Sequence, residues 1–148
     1  ELYIQQFMTF YGVLWGSMRY ASRFNEEDAS HKFLWSLFAM GLVLMLEGLT
    51  ADNNQGFALL QGSTAGMYLL LSIGYAGRAA LWVPRVRLAL GWAAGIYAMC
   101  AALFFFSCLH QDQSRFLVWL YIPICFVDIA FSGLRSFNRD RWDLPMNV

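Results

Sequence analysis

Residues 116–134, FLVWLYIPICFVDIAFSGL, form an apolar run of bilayer length that carries a single carboxylate, Asp128, well inside it. Nineteen residues of helix rise about 28 Å, against a hydrocarbon core about 30 Å thick, so the run reads as a membrane span. An ionised carboxylate at that depth costs at least a few kcal/mol unless it faces protein, water or a countercharge. This helix is therefore expected to pack against others. Tyr121, Cys125, Asp128, Ser132 and Arg135 follow one another at steps of three and four, which gathers the polar atoms into one stripe. Pro123 removes an N–H, frees the carbonyl of Trp119 and is expected to kink the helix beside the carboxylate.

The rest of the chain has the same character. Hydrophobic residues make up 59% and charged ones only 14%, which places the chain in the membrane class. A soluble fold would have to hide several runs, each near bilayer length, inside a 148-residue chain. The expected architecture is all-α, a polytopic transmembrane helical bundle forming a single domain over residues 1–148. It has about five spans, near 2–22, 32–50, 57–83, 86–109 and 116–134. The first residues read as part of a span rather than as a signal peptide with a cleavage site. Between spans lie NEEDASHK, with Asp28 or Ser30 as helix cap and His31 as a loop residue, then the turn ADNNQG, the turn at Pro84, and QDQS.

Basic residues sort by loop. Weaving five spans puts Arg19, Arg23, Lys32, Arg78, Arg85, Arg87, Arg135, Arg139 and Arg141 on one side and leaves only Arg115 on the other. The positive-inside rule makes the first side cytoplasmic, so the N-terminus is expected outside and the C-terminus inside a multi-pass protein of the cell membrane. The formal net charge is zero, which suggests neither a nucleic-acid partner nor a polybasic anchor. The expected partners are the lipid bilayer and neighbouring helices, of the same protein or of a homo-oligomer.

Five residues form the candidate intramembrane polar site: Asp128, Arg78, Arg19, Glu47 and Gln61. Asp128 lies six residues before Leu134 and Arg78 five before Val83, roughly 9 and 7.5 Å inside the cytoplasmic ends of their spans, so the two are expected to pair. Arg19 is the competing partner, on a helix face that runs Gln5, Thr9, Gly12, Gly16, Arg19, Arg23. The structural alternative for that face is a packing stripe whose arginines snorkel to the headgroups. Gln61, Ser63 and Thr64 share a depth with Glu47 at the opposite mouth, where weakly polar helix ends are also ordinary. Three Gly-x-x-x-Gly pairs, Gly12 with Gly16, Gly62 with Gly66 and Gly91 with Gly95, are expected to let helices approach closely. The row Gly62, Gly66, Leu70, Gly74 is expected to form a groove, and Ala94, Ala98 and Ala102 to extend the small surface of the fourth span.

No P-loop, dinucleotide fingerprint, His-Glu-x-x-His or Gly-x-Ser-x-Gly occurs in the sequence. His31 and His110 fall on opposite sides of the membrane and cannot ligate one haem or metal within this chain. Cys100, Cys108 and Cys125 lack Cys-x-x-Cys spacing and read as small buried apolar residues. No cofactor, metal or catalytic residue is expected, and a membrane enzyme lacks specific support.

The stretch WGSMRYASRFNEED, the following His31, a Leu-rich span, a span ending near Arg78 and the later FVDIAFSGLRSFNRDRWDLP together resemble the low temperature requirement A family of polytopic membrane proteins. The likeness covers most of the chain. In that family the pair matching Arg23 and Phe24 is commonly followed by Asp, where this chain has Asn25. An intramembrane Asp corresponds to Asp128, and a Trp-Asp pair to Trp142 and Asp143. The family also has an acidic, aromatic helix upstream, and downstream a His-x-x-Glu-Arg element and a Leu-Gly-Glu helix, so the resemblance implies that this chain is a fragment. Two functions are carried forward: an ion- or solute-transport component, from the intramembrane ionisable residues, and a structural or assembly module, in which the same charges fix helix register.

Overall fold

The computed structural model describes residues 2–23, 29–51, 54–81 and 84–110. Among them all regular structure is helical: α1 (Leu2–Arg23), α2 (Ala29–Thr50), α3 (Asn54–Leu81) and α4 (Pro84–Leu109). These elements cover the first four expected spans. The fifth, 116–134, lies outside the described residues, and so do Asp128, its pairing with Arg78, and Cys125. Two expectations at helix starts change. His31 and Ser30 are both inside α2, so His31 is not a loop residue and Ser30 is not the cap. Pro84 is the first residue of α4, where its missing N–H leaves no intrahelical bond unmade.

The four helices alternate in direction around α3, which packs most extensively against α4, next against α2 and least against α1. Ser72 Oγ donates to Ala94 O at 2.8 Å and the Cys108 thiol to Ala58 O at 3.4 Å. As position rises on α3 it falls on α4, so this pair is antiparallel. Gly48 meets the backbone of Gly56 and Leu60 while Gly41 meets Met67, which makes α2 and α3 antiparallel as well. Gly16 meets Leu71 and Tyr20 meets Gly74, so α1 runs parallel to α3. The ends of α1 and α3 and the starts of α2 and α4 therefore share one end of the bundle, joined by the stacked rings of Tyr20 and His31, 5.8 Å apart.

Close approach is concentrated at other glycines than the Gly-x-x-x-Gly spacing indicates. A Cβ on Gly48 would stand 2.7 Å from the Leu60 backbone nitrogen and 2.9 Å from the Gly56 carbonyl oxygen, and one on Gly41 would overlap the Met67 sulfur. A Cβ on Gly16 would also be crowded, 3.0 Å from Leu71 Cδ1 and 3.2 Å from the Tyr97 hydroxyl. By contrast, Gly66, Gly91 and Gly95 have nothing within 4 Å of an added Cβ, and Gly62 meets only Cys108 Sγ at 3.8 Å. The expected groove through Gly66 is therefore not a contact among the described residues. Ala94 is buried, but Ala98 and Ala102 are exposed.

Apolar surface faces outward on every helix. Phe7 on α1, Phe33 and Met40 on α2 and Trp92 on α4 are 62–66% exposed, and Leu69 and Ile73 on α3 are exposed too. Trp, Phe, Leu and Met side chains exposed to this extent are what a helix bundle presents to lipid. Inside, polar groups sit among the core side chains: Thr9, Ser17, Gln61, Thr64, Ser72 and Ser107 are all buried. Three helices, Ala29–Thr50, Gln55–Arg78 and Leu90–Leu109, are long and apolar enough to cross a membrane. Helix α1 is not among them, because Gln5, Gln6 and Arg19, with Thr9 and Ser17, lower its apolar character.

Candidate functional site

Along α3 the residues Gln61, Thr64, Tyr68, Ser72 and Tyr75 recur at steps of three and four, and all five are buried. Helix α4 meets them with Tyr97, Cys100, Phe104 and Ser107, again at steps of three and four and again buried. Thr9, Val13, Gly16, Ser17 and Tyr20 line the inner side of α1. The interior of the bundle is thus a junction of three helices rich in hydroxyls and rings.

The rings form an unbroken series. Phe104 stacks on Tyr68 at 5.7 Å, Tyr68 on Tyr97 at 6.0 Å and Tyr97 on Tyr75 at 5.4 Å. Tyr75 meets the edge of Tyr20 at 5.2 Å, Tyr20 stacks on His31, and His31 meets Trp35 at 5.9 Å. Residues from all four helices take part, each pair within the range where aromatic geometry adds about 0.5–1.5 kcal/mol beyond area burial. His31 is consequently a half-buried packing residue between Tyr20 and Trp35.

Three of the buried hydroxyls donate to backbone carbonyls. Ser17 donates to Leu14 O at 2.8 Å, Thr64 to Leu60 O at 2.7 Å, and Ser72 crosses to Ala94 O on α4. Gln61 Oε1 and Ser107 Oγ, both buried, have no hydrogen-bond partner among the described residues.

The four described members of the expected polar site divide between the two ends. Gln61 and Arg78 are seventeen residues apart on α3, about 25 Å along its axis. Glu47 shares the level of Gln61, as the contact of Gly48 with Leu60 requires, but Glu47 is exposed while Gln61 is turned into the bundle. Arg19, half-buried, precedes Tyr20, whose ring packs on Gly74 one turn before Arg78, itself half-buried, so the two arginines share the other end. Cys100 and Cys108 are free thiols, and among the described residues no three His, Cys, Asp or Glu side chains come together as a metal site would require. Ser107, Ser72 and the three inward tyrosines of α3 and α4 lie outside the five residues that the sequence singles out. The recurrence Gln61, Thr64, Tyr68, Ser72, Tyr75 is the signal that could have found the α3 members.

Comparison with models of known families, with curated proteins and with solved structures finds no match to this chain.

Proposed function

We propose that this chain is a multi-pass protein of the cell membrane, akin to the low temperature requirement A family, and that it contributes helices to the path of a transported ion or small solute. The observation that carries the reading is the polarity of the bundle: apolar side chains outward on every helix, with a glutamine and several hydroxyls turned inward. Polar groups in a bilayer are expensive unless they face the bundle interior, and there they commonly mark substrate paths.

In this proposal α1 is a span as well, since Thr9 and Ser17 on it face protein rather than lipid, and residues 116–134 supply a fifth. Arg19, Arg23, Lys32, Arg78, Arg85 and Arg87 belong to helix ends that share one end of the bundle. Under the positive-inside rule that end is cytoplasmic, with the N-terminus outside and the C-terminus inside. The fifth span brings Asp128 to the depth of Arg78, where the two pair. The bilayer and neighbouring helices, from the same protein or from a second copy, are the partners proposed.

Purified protein in liposomes tests the transport reading by flux of protons, monovalent ions and small neutral solutes. The proposal expects flux for one of these classes and its loss in Asp128→Asn. Flux equal to that of empty liposomes for every class would defeat it. It would also favour the second reading, a structural module that holds a larger assembly. The ring series and the tight contacts at Gly41 and Gly48, both suited to fixing helix register, support that reading.

A further inference from the structure

Gln61 and Ser107 depart from the pattern of their neighbours. Serine and threonine inside a helix ordinarily return their proton to a carbonyl three or four residues back. Ser17, Ser36, Ser63 and Thr64 do so here, and Ser72 finds a carbonyl on the adjacent helix. Ser107 does neither, although it is only 1% exposed, and Gln61 is 3% exposed with its carbonyl oxygen unpartnered among the described residues. A buried polar atom left in that state carries its full desolvation cost, and native structures leave few of them.

The two residues occupy one level of the bundle. The hydrogen bond between Cys108 and Ala58 fixes the register of α3 against α4. Gln61 lies three residues beyond Ala58 and Ser107 one residue before Cys108. On antiparallel helices both steps lead inward, by about 4.5 and 1.5 Å, so the levels differ by about 3 Å. Gln61 also lies between Ala58, Tyr68 and Ser72 in angle, on the face of α3 that meets α4.

We infer that Gln61 and Ser107 are two ligands of a buried hydration site between α3 and α4, occupied by ordered water. The amide oxygen accepts one proton of the water, and the serine hydroxyl donates to the water oxygen or accepts its second proton. Buried waters take two to four such partners and settle where polar groups would otherwise be unmade. A neutral occupant follows from the surroundings. The buried polar set of the described residues carries no formal charge, and Glu47, the described acid at this level, is exposed. Among the described residues an ion held there would lie desolvated without a countercharge, which is prohibitive. The site stands whether or not the chain conducts, because it rests on burial and hydrogen bonding alone.

Water-edited solid-state NMR of the full-length protein in lipid bilayers tests the site. The side-chain amide of Gln61 is assigned by its loss in Gln61→Leu, and the exposed side chain of Gln55 serves as the hydrated control. The expected result is transfer of water magnetisation to the Gln61 amide on the timescale seen for Gln55. Absence of transfer to Gln61 while Gln55 responds would overturn the inference. Thermal unfolding supplies a second reading. With water bound, Gln61→Leu and Ser107→Ala each lower the midpoint, and the double variant loses less than the sum of the two. An unhydrated interior instead predicts that Gln61→Leu raises the midpoint by removing an unsatisfied group, and that rise would equally overturn the site.

Discussion

Gly48 and Gly66 differ by what surrounds them, although both are glycines inside apolar helices. A methyl group on Gly48 would be pressed against three backbone atoms, at 2.7, 2.9 and 3.0 Å, none of which can move unless α2 and α3 separate. Gly48→Ala should therefore destabilise by about 1–3 kcal/mol. Gly41→Ala should be milder, since the obstructing Met67 is flexible and can swing aside. Gly66→Ala meets open space and should be neutral or stabilising by up to about 1 kcal/mol, the ordinary gain for Ala over Gly in a helix. Thermal unfolding of the three variants in one detergent checks the ranking; a Gly66→Ala loss as large as that of Gly48→Ala would contradict the packing described. Ser72→Ala removes the cross-helix bond to Ala94 O and should cost about 0.6 kcal/mol, up to about 1.7, as such bonds do in membrane bundles. A midpoint unchanged within error would mean that the bond contributes nothing. These distinctions were not legible in the sequence. Spacing places Gly62 and Gly66 on one face but does not say which neighbour that face meets, and Gly48 has no glycine four residues away to flag it. His31 was misread for a related reason: polar residues on both sides suggested a loop, while its ring is held by Tyr20 and Trp35 from two helices.

Helix by helix, the sequence was more informative. Long apolar runs broken by turn-forming clusters located α2, α3 and α4 to within a few residues, because bilayer-length hydrophobic runs and Asn/Asp/Gly or Pro breaks act locally. The inward face of α3 was legible only in part. Gln61 and Thr64 stand out as polar, but Tyr68 and Tyr75 look like ordinary apolar content until the rings of α4 are set against them. Helix α1 meets its neighbours at Gly16 and Tyr20 among other positions, and of the three helices packed on α3 it packs least extensively. Tyr97 links three helices, stacking on Tyr68 and Tyr75 with its hydroxyl beside Gly16. Tyr97→Ala should cost about 3–5 kcal/mol and release α1 first. Amide hydrogen exchange in lipid should then rise across α1 before α3, whereas Trp92→Ala, at a side chain 62% exposed on the outer surface, should leave both unchanged. Uniform acceleration of all four helices in Tyr97→Ala would show that α1 is not the separately held element.

For the whole molecule, the central claim is a bundle that crosses the membrane with its arginine-rich end in the cytoplasm. The alternating directions of α1 to α4 gather Arg19, Lys32 and Arg78 at one end of the bundle and Glu47 and His110 at the other. The most direct measurement is the reaction of single cysteines with a membrane-impermeant thiol reagent in intact cells, with Cys100, Cys108 and Cys125 replaced. Ala51 and His110 are exposed at the end away from the arginines, and Ala29 is exposed at the arginine-rich end. The account predicts labelling of Ala51→Cys and His110→Cys from outside, and of Ala29→Cys only after the membrane is permeabilised. Labelling of Ala29→Cys in intact cells, or equal labelling of all three, would contradict it.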